Sequence, residues 1–254
     1  TVRPFDRHPP TPPASVAGLE SLSRAFAVLV TVVFLLASTL AQHLSAATLD
    51  VPAVHPTVRA AVIAAASGDT VLVAPGVHSG GVWINGKSVT IASWYVLAGD
   101  TALIAQTILN GVAAAACGSA AGCTGNAVLE FGDNANGSAV VGLTVTNGEN
   151  GIASGSTVDV TRCRVVANGD GVDYVAGSGG TIRNSLFANN ADDGIDLNGR
   201  MNMTIMDNDI RNNQDDGIEY RLYAYTGVTR QVNILGNRIT GNGEQGVYPR
   251  DGAA

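Results

Sequence analysis

The chain has 254 residues, 31 of them Gly, with 46% hydrophobic and 5% aromatic residues and a formal charge of -7. That length bounds it to one or two domains. So acidic and sparsely basic a chain is a poor partner for nucleic acid, and abundant Gly with few aromatics suits short strands joined by tight turns.

Residues 1–24 are Pro-rich and read as a disordered N-terminus. Arg24 precedes an apolar run from Ala25 to Leu40, which ends in Gln42-His43-Leu44-Ser45-Ala46-Ala47. The run is short of the roughly 20 residues of a membrane span. A basic flank, an apolar stretch and a small-x-small end make residues 25–47 an export signal cut near Ala47, the alternative being an uncleaved anchor. Three basic and two acidic residues lie in 1–47, so the remainder carries 11 against 19 and a charge of -8. The expected location is secreted or periplasmic, with no stable membrane span in the mature chain. In an oxidising compartment Cys117 and Cys123, in an Ala/Gly-rich loop, can pair. Cys163 reads as a small buried hydrophobe, and three cysteines make no metal motif.

Thr57 to Ala66 is predicted helical: Pro56 precedes it, Thr57 can cap it, Ala dominates it and Gly68 can end it. Its apolar face (Val58, Ala61, Val62, Ala65) is expected to cover the open end of the first coil of strands. Strands are predicted at Asp69–Ala74, Val82–Ile84, Ser88–Ala92 and Ile104–Leu109, with a small-residue insertion over 111–126.

From Ala127 the chain repeats. Asp170-Gly171-Val172-Asp173, Asp193-Gly194-Ile195-Asp196 and Asp216-Gly217-Ile218-Glu219 recur at an interval of 23 residues. A constant period of this size marks a solenoid, in which residues of equal phase stack about 4.8 Å apart. The preceding coil has Asn150-Gly151-Ile152-Ala153 at that phase, and the following coil has Gln245-Gly246-Val247-Tyr248. The Gly-aliphatic pair therefore persists while the acids occupy three coils. Strand alternation turns Val172, Ile195 and Ile218 inward and Asp173, Asp196 and Glu219 outward, with Val175, Asn198 and Arg221 beside them. Asn groups recur at Asn184, Asn208 and Asn237 after Cys163, and at Asn168, Asn189/Asn190, Asn212/Asn213 and Asn242. Stacked amides at turns are a structural device.

Two stretches carry a family resemblance. "TVRAAVIAAASGDTVLVAPGVH", from Thr57 to His78, resembles the capping helix and first coil of right-handed parallel β-helix proteins, and polysaccharide lyases of the chondroitinase B and alginate lyase type begin similarly. Residues 143–248 resemble the Asn-rich coils of the same family, which includes pectate lyases and polygalacturonases. The resemblance implies an all-β chain, a single right-handed parallel β-helix over residues 48–254 with an N-terminal capping helix. No C-terminal cap is legible, so the last coil reads as truncated or as docked to a further segment.

Stacked like charges repel unless a cation or a proton sits among them. Oxygen-only clusters suit calcium, so Asp170, Asp173, Asp193, Asp196, Asp216 and Glu219 form the expected metal set. In uronate-cleaving lyases the resemblance implies a cation on the uronate carboxylate and a Lys or Arg as base. Arg221 is the candidate base and Arg200 the second choice. Asp193, Asp196 and Asp216 are the alternative catalytic set, as carboxyl pairs of a hydrolase. Asn190-Ala191-Asp192-Asp193 followed by Asp215-Asp216 is similar to the acid motifs of polygalacturonases, whose Gly-His-Gly and Arg-Ile-Lys motifs are missing here. Tyr220, Tyr223 and Tyr225, with Arg200, are candidate contacts to sugar rings. The expectation is an exported monomer that acts on or binds an acidic polysaccharide with calcium, lyase-like or epimerase-like. The alternatives are a non-catalytic carbohydrate-binding protein and a polygalacturonase-like hydrolase. Asp-Gly is also a common turn former, so the acids have a purely structural alternative.

Overall fold

The computed structural model describes residues 46–111, 125–175, 177–221 and 231–250. The expected export signal as far as Ser45, and Cys117 and Cys123 of the expected pair, fall outside them. Three parallel sheets wind through the chain, and each coil visits them in the order A, B, C. Sheet A has eight strands, stacked from Thr48–Val51 to Val232–Leu235. Sheet B has seven, from Gly76–Ser79 to Arg238–Thr240, and sheet C has seven, from Val82–Ile84 to Val247–Pro249. Each strand pairs only with the coils before and after it, so nearly every backbone group is satisfied between coils.

The core is three stacks of aliphatic side chains, one per sheet. In sheet A, Val160, Ile182, Ile205 and Ile234 are in register. Sheet B supplies Val165, Phe187, Ile210 and Ile239, and sheet C supplies Val172, Ile195, Ile218 and Val247. All are buried up to the last coil, where Ile234, Ile239 and Val247 become half-buried. The expected inward phase of Val172, Ile195 and Ile218 holds.

Helix α1, Val58–Ala64, covers the first coil with Val58, Ala61 and Val62 buried. Thr57 caps it, its Oγ1 accepting the N–H of Ala60 at 3.1 Å. The helix stops before Ala66, and its last carbonyls are met by a lysine. Lys87 Nζ donates to the carbonyls of Val62, Ile63 and Ala65 at 2.8, 3.2 and 2.8 Å. Asp69 joins the same end, accepting the N–H groups of Ala47 and Ala66 at 2.7 Å each. Those two donors, the Ala47 N–H foremost, hold its carboxyl below the ordinary range.

The strand expected at Ile104–Leu109 is corrected. Residues 95–106 leave the sheet as two short helices, α2 (Tyr95–Ala98) and α3 (Ala102–Gln106), and the strand is Thr107–Asn110. Asp100 Oδ1 accepts the N–H of Ala102 at 2.9 Å, which starts α3. Ile104 is buried, but from a helix, because a run this short reads equally well at either period.

The Asn columns form ladders, with one reassignment. Asn168, Asn190, Asn213 and Asn242 pass Nδ2–H to Oδ1 from coil to coil at 3.3, 2.9 and 3.0 Å. The second column runs Cys163, Ser185, Asn208, Asn237, with Ser185 where Asn184 was expected. Asn184, Asn189 and Asn212 instead take left-handed backbone at the corners, at φ of 52°, 57° and 57°. The ladder also explains the constant glycine of sheet C. A Cβ on Gly171 would stand 2.3 Å from the Gly194 carbonyl oxygen and 2.9 Å from Asn190 Nδ2.

Candidate functional site

Sheet C brings the acids together. Asp173, Asp196 and Glu219 are direct register partners, flanked by Ala153 on one side and Tyr248 on the other. They face away from the core yet are covered: Asp196 is 8% exposed and Glu219 2%. Two amides hold Asp173, Asn150 Nδ2 at 3.2 Å and Asn198 Nδ2 at 3.1 Å. Asn198 also donates to Asp196 Oδ2. The other oxygen of Asp196, Oδ1, is buried and has no hydrogen-bond partner among the described residues.

The second column, Asp170, Asp193 and Asp216, has a job in the fold. Each carboxylate accepts the backbone N–H of the next residue of equal phase. Asp193 N–H reaches Asp170 Oδ1 at 3.1 Å, Asp216 N–H reaches Asp193 Oδ1 at 2.8 Å, and Gln245 N–H reaches Asp216 Oδ1 at 2.6 Å. These three acids cap the chain as it enters sheet C.

Among the described residues, three groups of acids bring carboxylate oxygens within 4.8 Å of one another: Asp170, Asp192 and Asp193; Asp193, Asp196 and Glu219; Asp193, Asp215 and Asp216. Asp193 belongs to all three. The second group is the buried one, and it includes Asp196, whose Oδ1 is unpartnered among the described residues. Asp173, expected in the metal set, is instead occupied by its two amides.

Burial dominates the protonation of this cluster. It pushes Asp193 up to about 8, with Asp196, Asp192 and Asp170 adding repulsion against the pull of the Asp216 N–H. Asp196 is pushed to about 7 by burial and then by Asp173 and Asp170. Asp170 is raised to about 6, again chiefly by burial, while Asp192 and Asp216 are raised for the same reason.

Arginines close the far end. Arg221 Nε lies 2.7 Å from Glu219 Oε1, and Arg250 Nη1 lies 3.1 and 3.0 Å from Oε1 and Oε2. Arg250 escaped the sequence reading, although it stands one 29-residue coil after Arg221 and shares its phase. Arg200 lies half-buried at the turn after strand Ile195–Asn198, its carbonyl accepting the Gly177 N–H at 2.9 Å. Tyr220 is not on the wall. It shares the inward row of Tyr174 and Leu197 and packs against the core. Tyr223 and Tyr225 lie outside the described residues. A smaller hollow lies on the same sheet, lined by Trp83, Glu130, Asn150, Ala153 and Asp173, where the small side chain of Ala153 leaves room.

Among the described residues no helix is long and apolar enough to cross a membrane. No curated protein and no solved structure matches the chain significantly. The family model described as "Right handed beta helix region" matches residues 80–254, more than half of the chain. With three parallel sheets coiling in register, the chain belongs to the right-handed β-helix family.

Proposed function

We propose that this is an exported protein that holds calcium on the acid wall of sheet C and, through that wall, binds and acts on an acidic polysaccharide. Two observations on one residue support the ion: Asp196 Oδ1 is buried with no hydrogen-bond partner among the described residues, and a carboxylate oxygen of Asp196 lies within 4.8 Å of ones on Asp193 and Glu219. An unpaired buried carboxylate oxygen is costly, and a hard cation removes that cost with the donor type it prefers. Asp193, Asp196 and Glu219 would hold it. They supply about three of the 6–8 oxygens that calcium takes, which leaves coordination for water and for an oxygen of the glycan. When bound, the ion supplies charge neutralisation to a uronate carboxylate.

The chain's own groups then orient the sugar. Arg221 and Arg250 sit at the end of the wall as hydrogen-bonded guanidiniums, suited to a second anionic group. Arg221, held at 2.7 Å by Glu219, is the candidate base for lyase or epimerase chemistry. Hydrolysis has a separate support: burial raises the carboxyls of Asp193 and Asp196, to about 8 and about 7, toward the range in which a general acid works.

Thermal melting tests the ion. Calcium at millimolar concentration is expected to raise the melting temperature of the wild type and not of Asp196→Asn, and an unshifted wild type ends the calcium reading. Incubation with polyuronates and neutral glycans, with calcium and with chelator, tests the activity by product mass. Unsaturated fragments identify a lyase and fragments with added water a hydrolase. Intact polymers together with a calcium shift leave a binding protein or an epimerase.

A further inference from the structure

The corner between sheets A and B carries the opposite charge to the acid wall. One residue per coil takes left-handed backbone there: Gly142, Arg162, Asn184, Asp207 and Gly236, at φ of 68°, 53°, 52°, 54° and 64°. Gly, Asn and Asp adopt this conformation at low cost, and arginine does not. Arg162 therefore sits against its backbone preference in a column otherwise built from suitable residues. Its guanidinium carbon lies 5.9 Å from the ring centroid of Tyr95, the first residue of α2, within the range of a cation–aromatic contact.

Two residues on, Arg164 opens a strand of sheet B. Cys163 between them is buried, whereas both arginines are exposed and line the same groove. Arg183 stands beside them on sheet A, its Nε 3.3 Å from Thr161 Oγ1. All three side chains are exposed, and none has a carboxylate ion-pair partner among the described residues.

Arg162 and Arg164 edge a groove of about 450 Å³ whose far wall is Thr101 with Ile104 and Ala105 of α3. Thr144 Oγ1 donates to the Ile104 carbonyl at 2.8 Å and fixes that wall to the solenoid. Two acids also line the groove. Asp209 is engaged by Arg211 at 3.0 Å and by Arg238 at 3.3 Å. Among the described lining residues that leaves Asp207 alone against Arg162 and Arg164. The volume lies within the range of small-ligand clefts, and Thr101 and Asn184 add neutral hydrogen-bonding groups beside the cations.

We propose that this groove is an anion site, with Arg162 and Arg164 receiving a carboxylate or sulfate group of an acidic polysaccharide. A guanidinium matches either oxyanion with two parallel N–H bonds. The conformational cost at Arg162 is repaid by the placement of its charge at the groove mouth. The site lies away from sheet C and needs no metal. It shares with the proposed function only the polysaccharide, and it is read in chelator, so the two fail separately.

The test uses the full chain in chelator with fluorescent oligomers of polygalacturonate, dextran sulfate and neutral dextran, followed by anisotropy. The anionic oligomers are expected to bind, more weakly as salt rises, and dextran is not. Binding of polygalacturonate alone, of dextran sulfate alone or of both identifies the anion as carboxylate, sulfate or either. The double variant R162Q/R164Q is expected to lose about tenfold or more in affinity, while Arg59→Gln, on the exposed side of α1, leaves it unchanged. Arg162→Asn gives a separate readout: it suits the left-handed backbone, so its melting temperature should hold or rise while binding weakens. Absence of anionic binding in chelator overturns the proposal. So does equal binding of dextran, or affinity unchanged in R162Q/R164Q.

Discussion

Arg250 stands one coil beyond Arg221, and the two close on a single carboxylate, that of Glu219, at 3.0 and 2.7 Å. Glu219 is 2% exposed, so these cations answer a charge that water does not reach. Removing one arginine leaves the other in place, and the loss should be small. Removing both, in R221A/R250A, leaves Glu219 buried and unpaired, at a cost of about 3–5 kcal/mol. The two substitutions should therefore be non-additive in urea unfolding. Adding Glu219→Gln to the double variant should recover much of the loss, because it removes the stranded charge.

The Asp column at the entry to sheet C predicts a split between two substitutions at one position. Asp193 Oδ1 accepts the Asp216 N–H at 2.8 Å, and both residues are buried. Asp193→Ala orphans that N–H and should cost about 1–3 kcal/mol. Asp193→Asn keeps an acceptor and stays neutral at every pH, as burial favours, so in chelator its stability should match or exceed the wild type. Equal losses for the two variants in denaturant melts would mean that the capping bond contributes nothing.

The solenoid is legible in the sequence because its signals are periodic. The 23-residue interval, the inward Val172, Ile195 and Ile218, and the acids in three coils are all carried by sequence spacing, and the register follows directly. Departures from the period hide the rest. One coil of 22 residues puts Ser185 rather than Asn184 beneath Asn208. The lengthened coil hides the equivalence of Arg250 and Arg221. Tyr220, beside acids, resembles an exposed aromatic, although two-residue alternation from Ile218 sends it inward. The division of labour between the two acid columns is not legible at all. Both are Asp-rich, and only hydrogen-bond partners separate the capping Asp193 from Asp196, whose Oδ1 has none among the described residues.

Cys163 gives a probe of the core that is independent of the wall. It is 1% exposed, and burial raises its thiol to about 11. A thiol so placed is almost entirely protonated near neutral pH and shielded from reagents. In the native protein Cys163 should resist iodoacetamide, and in urea it should alkylate fully, as read by peptide mass spectrometry. Native alkylation at a rate near that of a free thiol would contradict a packed coil at this position.

The acid cluster should give the apo protein a stability that falls as pH rises. Asp170, Asp196 and Asp193 titrate near 6, 7 and 8 in the folded chain, above the ordinary carboxylate value of 3.8 that the unfolded chain has. Between those limits the folded state holds more protons than the unfolded one, so raising the pH favours unfolding. The stabilisation is fully present below about pH 4 and is lost through about pH 8, within which acid unfolding elsewhere sets the lower bound. Melting temperatures in chelator should therefore drop from about pH 5 to about pH 8.5. Calcium bound to the ionised carboxylates should flatten that drop, and its affinity should rise with pH as protons cease to compete. A melting temperature in chelator that climbs over the same range would mean that the carboxylates are ionised and satisfied without any cation.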